Sequence, residues 1–434
     1  MVVMARPETV DVSYGSGSVP LGFPAGSLEG VVSQAATAGG GVLGLGAGKA
    51  VAAALARLRE RGDLDGLDGR RLLVLLEDGT RAVDHGAMAA AVGGTLGGAC
   101  RLSFALCTGT HDPEQPDNRA ALESVAAAAG GAEVWLHDAR DDSGLGSALG
   151  TTSSGNAVRA SRAAEEADAF LVLSDMKNHY FAGYSNPVKN FVPGLAALET
   201  VERNHALAMR DESTFGRHPL HPDPARRDNP VANDQWEAAQ LVIGDRPCLA
   251  VVMTSHARRV TWWGAGPLQE AVEAGITQVD ASSSVTVEPV DALVVSPGGW
   301  PHDESLYSAQ RALELTKAAL CAGGEVLFLT ECRNGIGPPK AVHNFFEPLQ
   351  RPLAESLAET EADYRMYSHK AHKFARYLVE KGPIHTHSLL DPADLTSAHL
   401  APAPDPQAIV ARWAAEGRSI RVFDDASKFA VYSS

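Results

Sequence analysis

The stretch AFLVLSDMKNHYFAGYSNPVKNFVPG, residues 169–194, decides the fold. It begins as an apolar run of strand type and changes to a polar turn that is rich in Gly, Pro and ionisable side chains. The same change occurs in LLVLLEDGTR (72–81), ALCTGTH (105–111) and ALVVSPGGWPHD (292–303). An apolar strand that ends in a tight polar turn and continues into small residues is typical of βαβ units. The four stretches therefore predict parallel strands joined by helices.

The rest of the chain supports this prediction, because apolar runs alternate with helix-like stretches. The predicted strands are 72–76, 102–107, 134–137, 169–173, 248–253, 292–295 and 326–329. The predicted helices are 34–60, 119–129, 155–167, 233–242 and 305–322. We expect the α/β class, with two α/β domains, mainly parallel sheets and an active-site cleft between the domains.

A break in the pattern at VDASSSVTVEP (279–289) predicts the domain boundary. We assign residues 1–283 to an N-terminal domain for cofactor binding and catalysis, and residues 284–434 to a C-terminal domain that closes over the substrate. The loop RHPLHPDPARRDNP (217–230) has no periodicity. Loops of this length in compact proteins are usually functional or mobile.

Composition narrows the function classes. The 434 residues are 45% hydrophobic and 21% charged, as in ordinary globular proteins, and the formal net charge is −16. Such acidity disfavours nucleic acid as a partner, and an anionic ligand then needs locally placed Arg or Lys. The 5 cysteines include no C-x-x-C pair, and no run of 18 apolar residues occurs. We expect a cytoplasmic enzyme without a membrane segment, a structural zinc site or a disulfide framework.

The polar turns should converge, because ligands of open α/β sheets bind beyond the carboxyl ends of the strands. Asp78 and Arg81 fit either a helix N-cap beside a solvated arginine or a bidentate clamp for a carboxylate. His111 in TGTH is structural unless it has catalytic partners. His179 and Lys189 lie on one connected turn. Lys189 suits a phosphate contact or, as the sharper alternative, a nucleophile or covalent tether.

His205 and two short motifs also contain residues of the kinds that bind metals or nucleotides. His205 lies on a predicted helix, either as a partly buried surface histidine or as a neutral imidazole ligand to a metal. GLGAGK (44–49) fits neither a dinucleotide fingerprint nor a P-loop, so we interpret it as a helix-entry turn. HPLH (218–221) has no carboxylate at helical spacing, which makes a zinc hydrolase site unconvincing.

Taken in order, these motifs resemble the lactate racemase family over nearly the whole chain. The segments that carry the resemblance are DGTR (78–81), TGTH (108–111), NHYFAGYSNPVKNFVPG (178–194) with His205, DNPVANDQWEAAQLV (228–242) and SPGGWPHDESLYSAQRAL (296–313). The resemblance implies a nickel-pincer nucleotide cofactor, pyridinium-3-thioamide-5-thiocarboxylic acid mononucleotide with Ni(II). It implies an α-hydroxy acid racemase or 2-epimerase that works by proton-coupled hydride transfer through a 2-keto acid.

The resemblance also implies individual roles. Lys189 would form the covalent thioamide link, His205 would ligate nickel, and His111 and His179 would be the paired acid/bases. Arg81 would clamp the substrate carboxylate. Asp78 would position the cofactor or Arg81. Cofactor-synthesis enzymes would be transient partners, and each positioned base would contribute about 10²–10⁴ in rate.

Two departures from the family pattern bear on substrate and tether. Asn186-Pro187-Val188 replaces the glycine-glycine-arginine run before the lysine. The family's substrate-side glutamine and lysine fall on Ser308 and Arg311, which implies a substrate larger or more polar than lactate. Two alternatives stay open: a Schiff-base carbonyl enzyme that acts on sugar acids through Lys189, and a non-catalytic protein that stores the nucleotide.

Overall fold

The computed structural model describes residues 9–33, 44–81, 83–256 and 258–434. The chain divides into two compact units. We call Val42–Ser282 the central unit, and Met1–Gly41 together with Ser283–Ser434 the split unit.

The strands are, in chain order, β1 (Thr9–Tyr14), β2 (Gly17–Gly22), β3 (Leu28–Val32), β4 (Arg71–Glu77), β5 (Arg101–Cys107), β6 (Glu133–Leu136), β7 (Leu145–Thr151), β8 (Ala157–Ser161), β9 (Ala169–Asp175), β10 (Lys177–His179), β11 (Gly183–Ser185), β12 (Cys248–His256), β13 (Arg259–Pro267), β14 (Ser284–Val287), β15 (Val290–Val295), β16 (Leu320–Leu329), β17 (Ile384–His387), β18 (Ala401–Pro402), β19 (Ile420–Phe423) and β20 (Ala430–Ser433).

The described helices are α1 (Ala47–Arg61), α2 (His85–Leu96), α3 (Pro116–Ala128), α4 (Arg162–Glu166), α5 (Leu198–Ala206), α6 (Pro230–Ile243), α7 (Leu268–Ser283), α8 (Leu306–Ala309), α9 (Arg311–Thr316), α10 (Pro339–Ala341), α11 (Glu347–Leu349), α12 (Leu353–Ala362), α13 (Ser368–Glu380), α14 (Pro392–Ser397) and α15 (Pro406–Ala415). Short 3-10 turns lie at 142–144, 187–190, 207–209, 224–226, 317–319 and 426–428, and a π-helical turn lies at 342–346.

The central unit is built on a six-stranded sheet in the order β13-β12-β9-β4-β5-β6. Its pairings are parallel except for the hairpin of β12 with β13. Residues Leu72–Leu76 of β4 are fully buried, as expected for a central parallel strand that is covered on both faces. The carboxyl ends of β4, β5 and β9 therefore lie side by side at one edge.

The split unit has its own six-stranded sheet, in the order β18-β17-β16-β15-β19-β3, and every pairing in it is parallel. The predicted α/β class with mainly parallel sheets is confirmed. In the described part of the chain, no helix is both long and apolar enough to cross a membrane.

The two units differ from the predicted domains at the beginning of the chain. The division after Ser282 lies beside the predicted boundary, but Met1–Gly41 groups with the C-terminal segment rather than with residues 42–283. The reason is that β3 pairs with β19 and completes the edge of the split unit's sheet. A pairing between the two ends of a chain leaves no local signal in the sequence.

Three predicted helices differ from the observed elements. The stretch 155–167 contains strand β8, paired with β7, before the short helix α4. The stretch 305–322 breaks into α8, α9 and a 3-10 turn, and β16 already begins at Leu320. Of the stretch 34–60, residues 34–43 lie outside the described residues, and α1 begins at Ala47 after the Gly46 cap. GLGAGK is thus a helix entry, as predicted.

Candidate active site in the central unit

Two neighbouring strands place Asp78 and His111 together. Asp78 follows β4 directly, and His111 follows the TGTH turn after β5, which pairs with β4 in parallel. His111 Nδ1 is hydrogen-bonded to Asp78 Oδ2. Asp78 Oδ1 accepts from Thr80 Oγ1 at 2.6 Å and lies 3.9 Å from Arg81 Nε. Asp78 is not the cap of α2, since Asp84 performs that role.

The partners of Asp78 fix its charge. Burial would raise the pKa of Asp78, but the hydrogen bond from His111, the charges of His111 and Arg81 and the hydrogen bond from Thr80 hold it well below its usual range. An ionised carboxylate only accepts hydrogen bonds, so Nδ1 of His111 carries the hydrogen. In the neutral ring the lone pair then lies on Nε2, which makes His111 a proton acceptor at that atom.

The turn that carries His111 is tied to the loop that carries Lys189. Gly109 has a positive φ of 57° and its N–H donates to Gly194 O at 3.0 Å. A Cβ on Gly109 would lie 3.3 Å from Pro193. Glycine therefore allows both the left-handed backbone and the close approach.

Lys189 lies on the 3-10 turn Pro187–Asn190, which Asn186 caps by accepting from Val188 N at 2.8 Å. Burial, reinforced by the positive charges of Arg81 and Lys177 and opposed by Glu77, lowers the pKa of Lys189 to about 7. A large fraction of this side chain is therefore a free amine near neutral pH, which makes it a nucleophile.

The hairpin of β10 with β11 presents His179 and Phe181. The ring of Phe181 lies 4.5 Å from the ring of His179 and 5.4 Å from the ring of His205, between centroids. Lys189 Nζ lies 6.0 Å from the same ring. His179 Nδ1 accepts from Ala182 N at 3.3 Å, so in the neutral ring Nε2 carries the hydrogen.

His205 lies near the end of α5. Burial, together with the positive charge of Lys189, lowers the pKa of His205 to about 3 although the Val201 carbonyl opposes the shift. The imidazole is therefore neutral at physiological pH, which is the form that binds metals. Within the described ranges, no three His, Cys, Asp or Glu side chains are grouped so that they could hold a metal ion. His205 thus does not belong to a metal site built from three such side chains of the described residues.

The structure brings Asp78, Arg81, His111, His179, Lys189 and His205 to one end of the central sheet. Ser308 and Arg311, the other predicted site residues, belong to the split unit. There Arg311 Nη2 lies 2.9 Å from His302 Nδ1, and Ser308 Oγ lies 3.3 Å from Glu304 Oε1.

Sequence reasoning missed two residues of this site. Phe181 forms the wall shared by His179, His205 and Lys189, and its only sequence signal is the aromatic pair beside His179. Glu77 accepts from Asp175 N at 2.9 Å. Burial and the neighbouring Asp175 raise the pKa of Glu77 to about 7, against the charges of Arg81 and Lys177. An acidic residue that directly precedes Asp78 at a strand end could have marked it.

A parallel α/β scaffold that gathers three histidines, an arginine and a lysine is typical of an enzyme with acid–base chemistry. Residues 14–216 match the model of the lactate racemase N-terminal domain. The chain is 27% identical to the lactate racemase of Thermoanaerobacterium thermosaccharolyticum over 202 residues, which are 46% of this chain and 45% of that enzyme. It is 25% identical to the lactate racemase of Lactiplantibacillus plantarum over 332 residues, 74% of each protein.

Comparison with solved structures shows that the fold is also that of a lactate racemase. The lactate racemase apoprotein of T. thermosaccharolyticum superposes with a TM-score of 0.80 at 19% identity, covering 98% of this chain and 99% of that one. A Thermotoga maritima protein superposes with a TM-score of 0.61 at 13% identity, covering 89% and 98%. The chain is therefore similar to lactate racemases in sequence, and it shares their fold.

Proposed function

We propose that this isomerase inverts the C2 stereocentre of an α-hydroxy acid, as a racemase or 2-epimerase. The observation that carries the proposal is the complementary state of two histidines. In the neutral rings, Nε2 of His111 has the lone pair, whereas Nε2 of His179 carries the hydrogen. Interconversion of two mirror-related centres needs one base and one acid, whose roles exchange with the direction of the reaction.

The chain's own residues account for the proton steps. His111 takes the hydroxyl proton of one enantiomer as C2 is oxidised to the 2-keto acid. Asp78 then stabilises the imidazolium through Nδ1 and keeps the ring oriented. His179, in its imidazolium form, returns a proton to the carbonyl oxygen when C2 is reduced from its other face, so the number of protons on the two histidines is unchanged. The roles reverse for the other enantiomer.

Arg81 is the proposed substrate clamp. Its guanidinium lies beside Asp78 and is partly exposed, with 31% of its side chain accessible. A planar guanidinium can hold a carboxylate through two parallel hydrogen bonds. This would fix the substrate relative to His111, which shares Asp78 with the arginine.

The residues present fit the nickel-pincer nucleotide. Lys189 supplies an amine that is suited to an acyl-type linkage, and His205 supplies one neutral imidazole, so the remaining nickel ligands would come from the cofactor. When bound, this group supplies the acceptor and donor of hydride. Phe181 offers a flat apolar wall beside both residues. The Asn186-Pro187-Val188 segment replaces the family's run but still builds a capped turn that presents Lys189.

We extend the proposal to Ser308 and Arg311 as substrate-binding residues. Arg311 is held by His302 and has a wider, forked head than lysine. A serine beside it leaves more room than a glutamine. These features favour a substrate that is larger or more polar than lactate. We also propose that cofactor-synthesis enzymes interact transiently with the protein and load it with the nucleotide.

A second candidate is a Schiff-base carbonyl enzyme, which the lowered pKa of Lys189 also favours. The two candidates separate in one experiment. The protein is produced with the cofactor-synthesis enzymes, and nickel content, Lys189 modification and C2 inversion of an α-hydroxy acid panel are measured by metal analysis, intact mass and chiral chromatography.

The racemase proposal expects about one nickel per chain, a mass increase on Lys189 and inversion of at least one acid. Lys189→Ala should lose the nickel and the added mass. Borohydride trapping of a sugar acid on Lys189 in nickel-free protein would instead support the Schiff-base enzyme. Nickel content that is equal in Lys189→Ala and the parent would contradict the tether.

A further inference from the structure

Helix α6 has no part in the chemistry above, yet it carries most of the stretch DNPVANDQWEAAQLV. Its first turns contain polar residues that are almost fully buried: Asn229, Asp234 and Gln235. Buried polar groups cost free energy unless their hydrogen bonds are made. The hydrogen bonds of these residues lead to the segments that carry His205 and Phe181.

Asp234 is 2% exposed, and both of its oxygens are occupied. Oδ1 accepts from Thr152 Oγ1 at 2.6 Å and from Ser154 Oγ. Oδ2 accepts from Asn156 Nδ2 and from Asn204 Nδ2, each at 2.8 Å. Four donors around one carboxylate leave it a single orientation, so Asp234 is a fixed anchor for the groups that donate to it.

Asn204 is the residue on α5 that this anchor holds, and it directly precedes His205. Asn204 is fully buried; its Nδ2 also donates to Val231 O at 3.0 Å, and its Oδ1 accepts from Gln235 Nε2 at 3.2 Å. Helix α5 has only 9 residues. Holding one side chain near its end therefore fixes the rotation of the helix about its axis, and with it the direction of the His205 ring.

The same helix also supports the segment that carries Phe181. Asn229 caps α6 by accepting from Ala232 N at 3.1 Å, and its Nδ2 donates to Phe181 O at 2.9 Å and to Thr214 O at 2.8 Å. The start of α6 is thus bonded both to the segment that carries His205 and to the segment that carries Phe181.

We propose that Asp234 is a positioning residue which, through Asn204, holds the His205 imidazole in the orientation that binds the metal. The inference rests on the proposed role of His205 as the nickel ligand. Groups that orient a metal ligand usually affect metal affinity by about 10–100-fold when they are removed. Here the support reaches the ligand through the neighbouring side chain on the helix rather than through the imidazole itself.

The test uses Asp234→Asn, which keeps the size of the side chain but has one neutral oxygen where Asp234 has two charged ones, and this weakens the hydrogen bond that it accepts from Asn204. Protein is produced with the cofactor-synthesis enzymes and dialysed. Intact mass reports the group on Lys189, and metal analysis reports nickel. We expect the added mass to stay at the parent level and the retained nickel to fall about tenfold or more. Unchanged nickel would overturn the inference.

Asn204→Ala breaks the same link from the other side and gives an independent variant. We expect it to lose nickel as Asp234→Asn does. The double variant should lose no more than the worse single variant, because both changes remove one connection. Losses that multiply in the double variant would show two separate effects and overturn the proposed link.

The control for simple destabilisation is Val51→Ala, which creates a cavity beneath α1, outside this network. Each variant is dialysed at a temperature the same number of degrees below its own thermal midpoint, and under these conditions Val51→Ala should keep its nickel. Equal nickel loss in this control would overturn a specific role of Asp234.

A second readout needs no cofactor. Diethyl pyrocarbonate labelling of His205 in cofactor-free protein, followed by peptide mass, should become several-fold faster in Asp234→Asn and Asn204→Ala. Absence of nickel from the parent protein would refute the proposed function itself. Labelling rates would then still decide the positioning role, and equal rates in all variants would overturn it.

Discussion

His111 and His179 show how a neighbour decides what a side chain does. A carboxylate holds Nδ1 of one ring and a backbone N–H holds Nδ1 of the other, so the two neutral rings are opposite tautomers. We expect His111→Ala and His179→Ala each to lower kcat by about 10²–10⁴. Nickel content should stay at the parent level, because neither residue ligates the metal. Chiral chromatography and metal analysis check both points, and full activity in both variants would exclude the two-base scheme.

Glu77 gives a prediction about stability. Its pKa is raised to about 7, so between about pH 4.5 and pH 7 the folded protein keeps a proton that the unfolded chain has released. The contribution of Glu77 is fully present below its unfolded pKa and is lost as pH rises through 7. The glutamine in Glu77→Gln is neutral at every pH, so this variant should not show the loss of stability that Glu77 causes as pH rises.

The measurement is the free energy of unfolding by urea at pH 5 and pH 8. The free energy of unfolding of the parent should fall between pH 5 and pH 8 by on the order of 1–3 kcal/mol more than that of Glu77→Gln. Taking the difference between the proteins cancels the titrating groups that do not interact with Glu77, whereas the neighbouring Asp175 contributes to the measured difference. A parallel pH dependence in both proteins would show that Glu77 titrates normally in the folded state.

At the scale of the element, the TGTH turn depends on one glycine. Gly109→Ala forces a side chain into a left-handed backbone beside Pro193, which should cost about 1–2 kcal/mol of unfolding free energy. The turn should also move His111 away from Asp78, so kcat should fall by more than the stability loss explains. Gly98→Ala is the matched control, because a Cβ there meets nothing within 4 Å. Comparable kinetic losses in both variants would argue against a positional effect.

At the scale of the whole molecule, the split unit depends on both ends of the chain. Val12 and Leu21 are fully buried, and they pack in one cluster with Trp413 and Val422. A chain that begins at Val42 would lack them and β3, so we expect residues 283–434 to be cleaved rapidly in limited proteolysis while the central unit persists. Mass spectrometry of the fragments checks this. Equal resistance of both units would show that the edge strand contributes little.

The sequence predicts the central strands well because their signal is local: an unbroken apolar run such as Leu72–Leu76 has few alternatives to a buried parallel strand. The polar turns after such strands locate Asp78, His111 and Lys189 for the same reason. The helix predicted at 155–167 fails because its small residues suit helix and strand equally, and pairing with β7 decides between them.

Other features depend on contacts between distant segments. Neither the bond from Asp234 to Asn204 nor the pairing of β3 with β19 leaves a pattern in its own stretch of chain. The raised pKa of Glu77 likewise follows from its burial in the folded sheet and from Asp175 on another strand.

The pairing of β3 with β19 also sets an order for biosynthesis. The first strands leave the ribosome long before their partner exists, whereas Val42–Ser282 can assemble as soon as it emerges. The segment that carries β1 to β3 therefore keeps apolar side chains exposed until nearly the last residues are translated. Nascent chains halted shortly before Ile420 should be the ones that chaperones hold longest.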